Sequence, residues 1–129
     1  MRMEEEYSLK LSLRLFKGGK AFGPGIAELL RGIERTGSLQ KSAGAMGMAY
    51  SKAWTIIRQT EKLLGFALTF RTVGGENGGG SRLTPQGSLF LKHYEAFAEA
   101  VEEKAENVFH DYFSDDFFAE LDGIKTKST

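Results

Sequence analysis

Apolar and polar residues alternate strictly from residue 8 to 16 (SLKLSLRLF), where Ser8, Lys10, Ser12 and Arg14 separate Leu9, Leu11, Leu13 and Leu15. A period of two predicts a half-buried β-strand with one wet face. Lys17-Gly18-Gly19-Lys20 then reads as a hairpin turn, placing Ala21-Phe22 to pair back on that strand. After Gly23-Pro24-Gly25 the period changes. Ile26, Leu29, Leu30 and Ile33 recur at three- and four-residue steps, which predicts a helix from Pro24 to Arg35 with one buried face. Gly37 is suited to its left-handed C-terminal cap, and Ser38 to the N-cap of a second helix, Leu39 to Met46. Gly47 breaks that helix and a third runs from about Ala49 to Leu64.

Phe66 to Thr72 (FALTFRT) is strand-like, a glycine-rich stretch fills Gly74 to Gly80, and Ser81-Arg82-Leu83 supplies a returning strand. Thr84-Pro85 combines a capping hydroxyl with proline at the first helical position. From there Phe90, Tyr94, Phe97, Val101, Ala105, Val108 and Tyr112 step by three and four residues to about Phe113, near the 3.5-residue repeat of a helix that pairs with another helix. About 29 residues at 1.5 Å each give roughly 43 Å, longer than so small a body covers alone. The tail from Ala119 has little to bury and is expected to fray. The order predicts a mainly α fold with a small β-hairpin wing: a winged helix-turn-helix over 1–84, a dimerisation helix over 85–118 and a flexible tail over 119–129.

Composition narrows the function classes. The chain has 129 residues, 41% hydrophobic and 26% charged, as in one globular domain. It has no cysteine, which removes disulfides, thiolate nucleophiles and cysteine-based metal sites. It contains no long apolar run and no signal-peptide pattern at MRMEEEYSLK, so the expected compartment is the cytoplasm, with no membrane partner. His93 and His110 lie 17 residues apart on one predicted helix and cannot share a metal within one chain. No catalytic residue, metal or cofactor is expected. Net charge is zero, but residues 1–92 carry 14 Lys and Arg against 7 Asp and Glu, and residues 93–129 carry 3 against 10. A zero made of +7 and −7 leaves a basic block able to meet phosphate.

The basic block coincides with a particular geometry. A tight helix-turn-helix needs a small residue where the helices approach and a turn residue tolerant of positive φ, flanked by apolar anchors; Ala43, Gly47, Met46 and Met48 fit these places. On the third helix Met48, Ala53, Ile57 and Leu64 point inward with Trp54 at the edge. Ser51, Lys52, Thr55, Arg58, Gln59 and Lys62 then face outward. Short polar residues at the front and long basic ones beyond suit a helix laid in a major groove, where the front reads base edges and the rest holds phosphate. Tyr50 suits stacking on sugar or a phosphate contact, and equally a core role. Ser38 and Lys41 flank the patch from the second helix, and Arg71 and Arg82 stand at the base of the wing. The segment GGENGGG lacks the Gly-Lys-Ser/Thr ending of a phosphate-binding loop; it reads as a flexible linker or, better, as a wing tip whose lack of side chains permits close approach to a sugar–phosphate backbone.

The runs GMAYSKAW (Gly47–Trp54), TVGGENGGGSRLT (Thr72–Thr84) and LTPQG (Leu83–Gly87) resemble the DNA-binding domain of the ModE family of molybdate-responsive regulators, and more distantly the LysR-type winged helix. The resemblance covers roughly residues 8–113. It implies a homodimer on a two-fold site in double-stranded DNA, with the long helix building the dimer. By position it puts Ala49, Tyr50, Ser51, Lys52 and Thr55 at the groove-facing start of the recognition helix. Ala49 stands where a serine often begins this helix. The family's molybdate-binding region would follow, and only sixteen residues lie beyond Phe113, so no molybdate site is expected in this chain. The expected function is a dimeric, sequence-specific DNA-binding transcriptional regulator. The alternative is a winged-helix protein-interaction module that does not bind DNA specifically.

Overall fold

The computed structural model describes residues 7–73 and 80–124. They form two compact units, one of residues 12–97 and one of residues 7–11 with 98–124. The first opens with a short hairpin, β1 (Leu15–Phe16) and β2 (Lys20–Phe22), followed by α1 (Pro24–Thr36), α2 (Leu39–Ala45) and α3 (Tyr50–Leu64). A second antiparallel hairpin, β3 (Thr69–Thr72) and β4 (Gly80–Leu83), precedes the long helix α4 (Pro85–Tyr112). This is the winged helix-turn-helix order that the hydrophobic pattern predicts.

The caps fall where local chemistry puts them. Gly37 adopts φ 72° after α1, and Ser38 Oγ accepts the Lys41 amide at the start of α2. Gly47 takes φ 68° in the turn, where the amides of Met46 and Met48 both donate to Ala43 O at 3.0 and 2.9 Å. Thr84 Oγ1 accepts the Gly87 amide at 2.8 Å, with Pro85 first in α4. Phe22, Leu29, Leu30, Ile33, Ala43, Ala53, Ile57, Leu68 and Leu91 meet in one buried core. Each large member contributes about 1.5–3 kcal/mol by leaving water. Among the described residues no helix is long and apolar enough to cross a membrane.

The strand predicted over residues 8–16 is a correction. Only Leu15 and Phe16 enter a ladder, because β2 offers three residues before Gly23-Pro24 and the register shifts between Leu15 and Phe16. Leu13 and Leu15 are nevertheless half-buried between exposed Ser12 and Arg14. The alternation reports burial of one face without strand pairing.

Two of the seven stripe positions assigned to a dimer interface also need correction. The Phe90 ring lies 4.7 Å from that of Phe22 and 5.9 Å from that of Phe66. Tyr94 is buried, its ring 4.9 Å from that of Phe22, and its hydroxyl donates to Leu13 O at 2.8 Å. Tyr94 belongs to the core of its own domain, and Phe90, partly buried, packs against that core.

In the second unit α4 ends at Tyr112 and α5 (Asp115–Asp122) follows, with Ser114 Oγ accepting the Phe117 amide. Order thus extends past Ala119, where fraying was expected. The Tyr7 ring stacks on that of buried Phe118 at 4.7 Å, and Phe113 packs with Phe117 and Phe118. This aromatic cluster gives α5 an apolar face to bury.

The crossing of α1 and α2 is a close approach in the first unit. Buried Ser42 donates its hydroxyl to Leu29 O at 2.7 Å, and a Cβ on Gly32 would overlap Ser42 Oγ and stand 2.8 Å from its Cβ. Gly32→Ala should therefore cost about 1–3 kcal/mol in urea unfolding, since the helices must separate to admit one methyl. An unchanged midpoint would refute this crossing.

Candidate nucleic-acid interface

The inward face of α3 is Ala53, Ile57 and Thr60, all buried. That leaves Ser51, Lys52, Thr55, Arg58, Gln59 and Lys62 exposed as predicted, with Tyr50 and Trp54 each 43% exposed. Ala49 is the N-cap of α3 and supplies no side-chain hydrogen bond, so the first-turn amides of the helix are free to meet an external acceptor.

Around this end of α3 the structure gathers a shallow groove of about 310 Å³, lined by Ser38, Leu39, Gln40, Tyr50, Arg71, Gly80 and Ser81. Tyr50 therefore lines a surface and takes no core place. Lys41, Lys52, Lys62 and Arg71 have no carboxylate partner among the described residues. Gln40, not singled out in the sequence, enters because it follows the Ser38 cap by two residues and shares that helix end.

The wing arginines separate. Arg71 pairs with Ser81 and Arg82 with Phe70. Directly opposed residues of an antiparallel pair share a face and successive pairs alternate, so Arg71 faces the groove side and Arg82 the other. Arg82 is thus not brought together with Arg71. Nor does Gln59 join the groove; it lines a separate pocket with Lys20 and Thr60. The stretch Gly74–Gly79, expected to form most of the wing tip, lies outside the described residues.

Arg58 is engaged within its own helix. Its guanidinium carbon sits 5.0 Å from the centre of the Trp54 ring, and Nη1 is 2.9 Å from Glu61 Oε1. The other carboxylate oxygen of Glu61 accepts the amides of Leu68 at 2.7 Å and Thr69 at 3.3 Å. Glu61, only a subtracted charge in the sequence, ties α3 to the start of the wing. The returning strand is tied too, because Ser81 N donates to Gly37 O at 2.9 Å. A Cβ on Gly80 would stand 2.6 Å from that carbonyl, so the close approach requires glycine there.

Of the remaining stripe on α4, Phe97 is 44%, Val108 53% and Tyr112 72% exposed, while Val101 and Ala105 are half-buried. No group of three or more His, Asp or Glu is placed to hold a metal among the described residues. His110 approaches Glu106 at 3.4 Å, one turn away on its own helix.

Comparison with known proteins agrees with this geometry. Residues 27–88 match the bacterial regulatory helix-turn-helix protein, lysR family. The transcriptional regulator ModE of Yersinia pestis is 33% identical over 105 residues, covering 81% of this chain and 38% of that protein. The DNA-binding transcriptional dual regulator ModE of Escherichia coli K12 is 32% identical over 111 residues, covering 86% and 40%. The molybdenum-pterin-binding protein MopB of Rhodobacter capsulatus is 33% identical over 87 residues, covering 67% and 32%. The chain thus spans 40% or less of the length of these relatives.

Removing the Glu61 carboxylate leaves two wing amides without their acceptor. Glu61→Ala should cost about 1–3 kcal/mol and speed hydrogen exchange at Leu68 and Thr69, with Glu61→Gln intermediate. Exchange at those two amides as slow as in the parent would exclude the tie.

Proposed function

Because residues 27–88 are a LysR-type helix-turn-helix domain of ModE-like sequence, we propose that the chain is a dimeric, sequence-specific DNA-binding transcriptional regulator. One observation carries the reading: Tyr50, the first residue of α3, lines the same groove as Arg71 of the wing and Ser38 at the start of α2. In this reading Ser51, Lys52 and Thr55 meet base edges in the major groove. Lys41 and Arg71 hold the flanking phosphates, and the uncapped amides after Ala49 take a further phosphate oxygen. Arg58 contributes by fixing Trp54 and Glu61, with its remaining N–H groups free to face the backbone.

Two-fold pairing would come from the stretch of α4 beyond Tyr94, where the stripe is exposed or half-buried. Phe97, Val101, Ala105, Val108 and Tyr112 keep the three- and four-residue steps of a helix seam. A second copy on that seam would present two α3 helices to two half-sites.

The test is fluorescence anisotropy on fragments selected from the source genome. Binding should weaken steeply with salt. Lys41→Ala and Arg71→Ala should each reduce the salt slope by about one and together weaken binding by roughly tenfold or more. Absence of binding at low salt, or binding indifferent to both changes, would favour a protein-interaction role instead. For the seam, Phe97→Asp with Val101→Asp should sediment as a folded monomer; a dimer mass would place the contact elsewhere.

A further inference from the structure

Beside α3 lies a pocket of about 290 Å³ lined by Arg14, β2, the start of α1, and Ile56, Gln59 and Thr60 of α3. We propose that this pocket binds a small organic anion, a carboxylate carried on a compact apolar body.

Its chemistry is divided. Phe22, Ile26, Met48 and Ile56 give it apolar walls, and Arg14 and Lys20 stand among the lining residues with no carboxylate beside them. Among the described residues Lys20 has no ion pair and the Arg14 side chain makes one hydrogen bond, to Ser12 Oγ at 2.6 Å. The 13-residue helix α1 begins here. Its N-cap is Gly23, no side chain caps it and its first turn holds no acid, so its leading amides offer donors to an anion.

A second, independent observation is the hydroxyl of Thr60. The residue is 6% exposed and lines the pocket. Thr55, on the same helix, returns its hydroxyl to Ser51 O at 2.9 Å, and buried Ser42 gives its own to Leu29 O. Thr60 makes no such bond among the described residues. Since every fully enclosed side-chain polar atom described has a partner, this hydroxyl is not fully enclosed, and the pocket is the cavity that Thr60 lines. An accessible hydroxyl on an otherwise buried residue, uncapped amides and two cations around an apolar floor form a site for a ligand with one charged end, at the small end of the usual range for such cavities. Met48, Ile56, Gln59 and Thr60 belong to α3 or the turn before it, so an occupant would touch that helix directly.

The experiment is an amide NMR titration of the full chain with benzoate, and with benzamide as its uncharged counterpart. It uses no DNA, so its outcome is independent of the reading above. Benzoate should give saturable shifts at Gly25, Ile26 and Thr60 in the millimolar range, with benzamide about fivefold weaker or worse. Lys20→Ala, a surface change, should weaken benzoate by about threefold or more, as should Thr60→Val, which keeps the shape and removes the hydroxyl. No saturable shift at those amides, equal binding of benzamide, or benzoate binding unchanged in both variants would each overturn the proposal.

Discussion

The position of the wing depends on one carboxylate. Glu61, one turn before the end of α3, has its side chain only 10% exposed and accepts two amides from the first residues beyond the helix. A buried carboxylate held by backbone donors cannot be exchanged for water without leaving those donors unsatisfied, so α3 and β3 move together. Arg58 closes the arrangement by holding the second oxygen, and Trp54 lies under its guanidinium. With the Gly37 carbonyl gripping Ser81 on the returning strand, both strands of the wing are anchored to the helix-turn-helix. The place of Arg71 beside Tyr50 follows from these two ties.

Much of this fold was legible because the signals were local. Ser38, Gly37, Gly47 and Thr84-Pro85 each act within four residues of their own position, and the structure shows the predicted cap or turn at every one. The strand over residues 8–16 was not legible, because alternation records which side chains are buried and is silent on whether a partner strand exists. The separation of Arg71 from Arg82 depended on register, which a span of glycines between two strands does not specify. Glu61 escaped for a related reason. Its partners are backbone amides seven and eight residues on, and an amide carries no residue type to recognise.

Zero net charge takes on a different meaning beside the ion pairs. Arg31 is matched by Glu95 and Arg58 by Glu61, so two of the basic side chains of the first unit are neutralised where they stand. Among the described residues Lys41, Lys52, Lys62 and Arg71 are not, and Lys52 and Arg71 flank the start of α3. Whole-chain charge averages over residues that never share a surface. What a phosphate backbone would meet is the set of cations without partners.

The long helix shows how one hydrophobic period can serve two different partners. An uninterrupted three- and four-residue stripe marks a continuous apolar face, but it does not say what covers that face. Along α4 the first two positions, Phe90 and Tyr94, are covered by Phe22 and Phe66 of the same domain. From Phe97 onward the stripe is less enclosed, with Phe97 44%, Val108 53% and Tyr112 72% exposed and Val101 and Ala105 half-buried, although the spacing is unchanged. Aligned apolar side chains of this size left in water are unfavourable, and the same spacing that buried the first pair would bury the rest against another helix. In the dimer proposed above, Phe97 is the residue at which α4 ceases to be a core helix of its own domain and becomes a surface for a second copy.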